Sequence, residues 1–457
     1  MGRGLLIIVS GLFIVYGIIQ NSLNDRQKNI TQFSANYAEK TKAETIANAM
    51  ADMAFAEINK YPQDEEAGDL PTTNIMGGSG KVESTIIQPE PRNPFLKHKI
   101  MTATGTFEGE TVEIVVTAKR RAFSKYSYFT NVEGNINFTG GDILNGPVHT
   151  NGEMTVNGDA TFNGPVTVVE GCDGCDRHNP DFKDKVDLSA DEINLPIEVP
   201  KLGEAAKDAG MYFSDDKIKL EFRDDGTANV TKYRQSGTSE KCVDYRYSRF
   251  YGYYCAERKT VPTYETTGGS VYNLNDPNFN GIISTTGNVE VEGTLDGDVT
   301  MHSTKDIRIM GDVRYKDAPT EDDASSDDFL GMISEGHTIV DRDAHSANGT
   351  KNLDIHASIM ALKEVDDDTY KGSFYVEGYD SGSKKGYLNL LGGLIQYKRG
   401  AVGTGGGWGG GTGYLKNYTY DERFLGRAPR GFPPSDIYDF VSWKVKYPEK
   451  KSPQEKS

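Results

Sequence analysis

NGPVHT, NGEMTV, NGDATF and NGPVTV follow one another without a break from Asn145 to Val168. Glycine falls at every sixth residue, at Gly134, Gly140, Gly146, Gly152, Gly158 and Gly164, and asparagine precedes the last four. A short fixed period marks a solenoid, and six residues is the period of a β-helix. Each hexad supplies a corner and a short strand. Asn-Gly accepts the positive φ that a tight corner requires, and the residues after it alternate between inside and outside. The spacing therefore predicts corners at all six glycines, with φ > 0 at Gly146, Gly152, Gly158 and Gly164. It also predicts an inward set of Val148, Met154, Val156, Ala160, Phe162, Val166 and Val168.

GPVHTN at Gly146 recurs as GPVTVV at Gly164, 18 residues on, so three hexads make one triangular coil, and coils stack at about 4.8 Å. The pattern resumes at Gly281, Gly287, Gly293 and Gly311, flanking Val289, Val291, Leu295, Val299, Met301, Ile307, Ile309 and Val313. It resembles the bactofilin type of β-helix, which leaves the handedness of the coil open.

The 457 residues suit about two to four units of ordinary size. The formal charge of -17, from 50 Lys plus Arg against 67 Asp plus Glu, repels nucleic acid and anionic lipid and excludes a basic binding patch as the main function. The 51 glycines and 25 tyrosines favour turn-rich β structure over helix bundles.

From Leu5 to Ile19 the chain reads LLIIVSGLFIVYGII, and no charge appears until Asp25. Such a run predicts a transmembrane helix or a signal sequence, and no small-x-small cleavage site closes it. Asn29 to Lys60 contains neither proline nor glycine, with Ile30, Phe33, Tyr37, Ile46, Met50, Met53, Ala54 and Ile58 at helical spacing. One long helix is predicted, ended by Tyr61-Pro62 because proline cannot continue the backbone bonds.

A long helix, apolar first and amphipathic afterwards, leading into β structure resembles the build of type IV pilins. Arg3-Gly4 resembles a prepilin peptidase site, and SANYAEKTKAETIANAMADMAFAEI (34–58) resembles the alanine-rich helix of PilX-like minor pilins. The resemblance implies processing after Gly4, Leu5 as the mature N-terminus, inner-membrane insertion, and other pilins or envelope assembly proteins as partners. Major pilins carry a glutamate where this chain has Val9, which implies a minor or initiating subunit. The alternative is an uncleaved signal anchor.

Before the ladder, KVESTIIQ, KHKIMTATGTFE and TVEIVVTAK predict a small antiparallel sheet. Between the ladder stretches an inserted module is expected, with a hairpin built from IKLEF (218–222), Asp225-Gly226 and TANVTKY. Cys242 and Cys255 bracket the tyrosine-rich VDYRYSRFYGYY, and Cys172 and Cys175 form a second local pair. Outside the cytoplasm disulfides are the expectation. A zinc site of the four cysteines with His178 is the alternative.

The acidic stretches Thr320–Asp328 and Asp341–Asn348 lack the calcium-hand pattern and read as solvated loops. GTGGGWGGGTG (403–413) lacks the Lys-Ser/Thr of a phosphate loop. The segments LGGLIQYKRGAVGT and GGTGYLKNYTYDERFLGRAPRGFPP resemble the C-terminal signature of an uncharacterised bacterial family. That family joins a PilX-like helix to a β-helix.

The seven histidines are scattered, read as surface or corner residues, and form no metal or triad motif. Glu153 and Asp159 share a hexad slot, but Pro147 and Pro165 hold it in the flanking hexads, so no carboxylate file for glycan chemistry is expected. No catalytic residue, metal or cofactor is expected.

The fold class is mainly β: a transmembrane and amphipathic N-terminal helix, a small sheet, and a parallel β-helix with an inserted module. The divisions are 1–62 helix, 63–125 antiparallel β region, 126–171 first β-helix part, 172–280 inserted module, 281–440 β-helix continuation and 441–457 disordered tail. The expected function is a non-catalytic, membrane-anchored envelope or surface subunit of a pilus or pseudopilus, with self-association by β-helix stacking as a further contact. Its location would be the bacterial envelope, single-pass, with the bulk periplasmic or extracellular. The alternative is a surface glycan-binding or polysaccharide-active protein.

Overall fold

The computed structural model describes residues 2–90, 93–134, 136–140, 142–196, 198–250, 252–320, 323–362, 372–404 and 411–448. The chain divides into two compact units: Met1–Pro89 with Lys97–Arg120 and Asp436–Ser457, and Glu90–Leu96 with Arg121–Ser435.

In the first unit one helix, α1 (Gly2–Lys60), lies against strands β1 (Leu70–Ile75), β2 (Gly78–Ile87), β3 (His98–Phe107) and β4 (Glu110–Ala122). These four pair antiparallel in sequence order, and the strand Pro434–Lys446 completes the sheet beside β4. Ala43, Ile46, Ala47, Met50, Ala54 and Ile58 recur every three to four residues and are all buried. The alanines set the distance. A Cβ on Gly105 of β3 would strike the backbone of Ala43 and Ala47, and one on Gly80 would strike Met50, so small residues on both faces let helix and sheet close up.

Two expectations are corrected here. The single-pass membrane helix is not found: among the described residues no helix is long and apolar enough to cross a membrane. Ser10, Gly11, Tyr16, Gly17 and the polar run Gln20–Ser22 dilute the apolar stretch. Residues 441–446 are not a disordered tail but the end of the fifth strand, where Tyr438 donates its N–H to Asn59 Oδ1 at 2.9 Å and Trp443 packs against the core.

The second unit is a parallel ladder. Val148 pairs with Val166, Phe138 with Val156, Met154 with Cys172 and Ile143 with Thr161, each 18 residues apart. All seven residues of the first inward set are buried, as are all eight apolar residues of the second stretch. The glycines divide into two kinds. Gly134, Gly146 and Gly158 have positive φ, but Gly140, Gly152 and Gly164 do not. At Gly164 the requirement is closeness, since a Cβ there would enter the backbone of Gly146 in the neighbouring strand.

Parallel pairs connect Val186, Val166, Val148, Tyr128, Leu394, Ile359, Met332, Met301, Ile283 and Met211 into one column. The chain therefore enters the ladder in its middle, at β5 (Tyr128–Val132), and builds outward to Val186. It resumes at α2 (Pro200–Ala209) at the far end, and builds back until Lys384–Lys398 pairs with β5. A buried ion pair closes this seam: Arg399 Nη1 lies 3.1 Å from Glu133 Oε2, with side chains 3% and 2% exposed. The expectation of an inserted module over 172–280 is corrected in part: Cys172, Asp181, Val186, Met211 and Lys217–Phe222 pair in parallel within the ladder, and what stands apart from it is a long arm, Thr227–Ser248 paired antiparallel with Gly252–Asn273. Its base strand Lys217–Phe222 pairs on one side with the arm and on the other, in parallel, with Asn288–Leu295.

Candidate functional site

In the first unit, Gly4 and Leu5 lie in the opening turn of α1. Before Ala43 the described side chains of the helix are mostly exposed, with Lys40 over the Tyr447 ring and Lys42 over the Phe107 ring. Leu12, Phe13, Ile14, Ile30, Phe33 and Tyr37 are all exposed, Phe33 to 75%. Bare apolar surface of this extent marks an interaction site.

In the second unit the arm overhangs the ladder and leaves a cleft of about 1360 Å³. Lys241, Glu257, Lys259, Pro262 and Tyr264 line it from the arm, and Lys217, Glu290, Asp306, Arg308, Arg342 and Glu377 from the ladder. Its floor is tied by ion pairs between neighbouring strands. Lys217 Nζ reaches Glu290 at 2.9 Å and lies over the rings of Tyr233 and Tyr264. Arg308 reaches Asp341 and Glu377, each at 2.8 Å. Burial opposes the Arg308 charge, but Glu377 and Asp341 outweigh it and hold its pKa above the ordinary value. These ion pairs fix the positions of the floor's charged groups, which gives the cleft a polar surface.

Cys172 pairs with Cys175 and Cys242 with Cys255, so none of the described cysteines is a free thiol that could bind zinc. The second bridge crosses the two strands of the arm near its tip, where Phe250 stands fully out from the surface. Among the described residues no group of three metal-ligating side chains comes together. The glycine run 403–413 lies partly outside the described residues, at 405–410.

Three histidines depart from the surface or corner role. His149 is buried, hydrogen-bonded through Nδ1 to Thr167 Oγ1 at 2.7 Å and through Nε2 to Asn151 Oδ1 at 2.8 Å. His302 is buried between Ser284 Oγ at 2.9 Å and Glu335 Oε1 at 3.2 Å, a serine, histidine and glutamate in line. His356 accepts the Tyr315 N–H at 3.1 Å. The Ser284 row resembles a hydrolytic triad only in composition. Ser284 is fully buried and Glu335 also accepts the Val199 N–H at 2.8 Å. Asn151 likewise takes the Ile193 N–H at 3.0 Å and gives Nδ2–H to the Ile193 carbonyl at 2.8 Å. Both rows fasten the chain at Ile193 and Val199 to the ladder. The solvated-loop reading of the acidic stretches is corrected too: Asp328 is buried and accepts the Gly297 N–H, and Asp341 holds Arg308.

A family model described as a domain of unknown function (DUF4900) matches residues 97–175, which span β3, β4, β5 and the first ladder stretch. No curated protein matches the chain. Among solved structures, the crystal structure of the competence-associated pilin ComZ from Thermus thermophilus is similar at 10% identity and a TM-score of 0.30. That similarity covers 83% of this chain and 87% of that one, and is too slight to carry an inference.

Proposed function

We propose that the chain is a non-catalytic structural subunit of a type IV pilus-like or pseudopilus-like assembly, in the role of a minor subunit, associating with other pilin-like chains. The observation that carries this reading is α1. Its second half is the core of a helix-on-sheet unit, while among the described residues of its first half Val9, Leu12, Phe13, Ile14, Tyr16, Ile19, Leu23, Ile30, Phe33 and Tyr37 are apolar and exposed. A helix so divided is built to pack among helices of neighbouring subunits. Processing after Gly4 belongs to the same reading. The second unit is, on this proposal, a parallel β-helix that holds the stapled arm at a fixed distance, and the 18-residue pairing and buried inward set support it.

The test is retention in native assemblies. Tagged full-length chain should sediment with sheared assemblies, and the variant carrying Ile14→Asp and Phe33→Asp should fold yet be lost from them. Retention of that variant at the wild-type level contradicts the proposal. The cleft favours a second reading, a surface that binds an extended polar ligand such as a glycan. Glycan-array binding lost on Arg308→Ala would support that reading, and no binding at all would remove it.

A further inference from the structure

The exposed half of α1 carries a pattern sharper than general apolarity. Val9, Tyr16, Leu23, Ile30 and Tyr37 recur every seven residues, and Leu12, Ile19, Arg26 and Phe33 recur every seven, three positions later. These are the first and fourth positions of a heptad kept over four repeats, with one polar member. All eight apolar members are exposed. A strict seven-residue period over this length specifies a left-handed pairing with another helix, because a straight helix of 3.6 residues per turn drifts off such a seam by about 20° per heptad.

The flanks of the seam do not choose a partner by charge. From Ile19 onward they are Gln20, Ser22, Gln27, Asn29, Ser34 and Asn36, all neutral. The one charge in the seam is Arg26. Among the described residues it makes no ion pair, and its neighbours one turn away, Ser22, Leu23, Asn29 and Ile30, include no acid. In a parallel pair fourth positions face fourth positions, so two copies of this chain would bring Arg26 against Arg26 in an otherwise apolar stack.

We propose that this seam takes a parallel helix from a different subunit, heptad-patterned like α1 and carrying an aspartate or glutamate in the layer facing Arg26. The proposal rests on the reading of α1 as an assembly helix, in which subunits present their helices in the same sense. Arg26 then acts against self-pairing and for the acidic partner, as a single polar seam residue does in coiled coils.

Sedimentation velocity on the full chain tests this. Wild type and Arg26→Glu should each self-associate weakly, and their equimolar mixture should form a 1:1 pair at least about tenfold tighter than either alone. Arg26→Leu should self-associate at least about tenfold tighter than wild type. Equal self-association of wild type and Arg26→Leu, or a mixture no tighter than its parts, overturns the proposal. In the Arg26→Leu background, Phe33→Asp on the seam should abolish pairing and Ile14→Asp off the seam should not. If both abolish it equally, the assembly reading stands and the seam falls. If no variant associates at all, both fall. Far-UV circular dichroism checks that each variant is folded, since every substituted position lies outside the helix-on-sheet core.

Discussion

Replacing Arg399 with methionine would leave Glu133 buried without its cation at the seam in the middle of the ladder, where strands 266 residues apart in sequence meet. Glu133 would keep hydrogen bonds from Tyr128 and Thr130, but these cannot neutralise it. Removing one partner of a buried ion pair costs about 3–5 kcal/mol. The Arg399 bond to the Ile136 carbonyl at 3.0 Å adds about 1 kcal/mol. Methionine retains some of the contact that the guanidinium makes 4.0 Å above the Phe138 ring, so the net loss is about 4 kcal/mol. The double variant Glu133→Leu with Arg399→Met removes both charges and should recover at least about 2 kcal/mol of that loss. Because the chain has two units, global unfolding is not a two-state measure. Amide exchange read at 128–132 and 394–398 isolates the seam instead. Arg399→Met should speed exchange there about a hundredfold or more, since each 1.4 kcal/mol is a factor of ten. Exchange unchanged in the single variant, or equal in single and double variants, would refute the lock.

Other substitutions probe the ladder, the helix bed and a buried imidazole. Burial lowers the His356 pKa from 6.5 to about 4, and a protonated ring cannot accept the Tyr315 N–H. Its contribution to stability is therefore complete above about pH 6.5 and falls as pH drops towards 4, by about 2 kcal/mol at pH 5. His356→Gln should flatten the stability-against-pH curve over that interval, and an unchanged slope would exclude the group. Val156→Asp buries an unpaired charge and should prevent stable folding of the ladder, whereas Thr155→Lys at the neighbouring outward position should stay within about 0.5 kcal/mol by thermal unfolding. Gly105→Val drives two methyl groups into the α1 backbone and should destabilise the first unit by about 1–3 kcal/mol, read from exchange protection at 43–58.

The ladder was legible because Asn-Gly and alternation act within six residues, and the inward sets follow from that local rule. What required the structure was every contact that skips sequence. Nothing near Tyr128 announces that Leu394 will pair with it, and Glu133 and Arg399 look like ordinary surface charges until the seam joins them. The surface reading of the histidines fails for the same reason. His149 and His302 are placed inside by the strands, and their partners sit 18 residues away on Thr167 and Ser284. Sequence does not separate the corner glycines into their two kinds, because positive φ, as at Gly146, and close stacking, as at Gly164, both select glycine and leave the same mark. Residues 441–446 failed because a half-exposed edge strand next to a charged terminus carries little alternation. The heptad seam of α1 is written plainly in sequence, but general apolarity in the first 19 residues hides its period.

On the proposed function, α1 is the part of the chain that enters an assembly. Mass spectrometry of sheared native filaments tests it most directly, by asking whether this chain is present and where it begins. Peptides from both units, well below the major subunit in amount and with an N-terminus at Leu5, are the predicted result. A chain that retains Met1 and is absent from every filament fraction would contradict it.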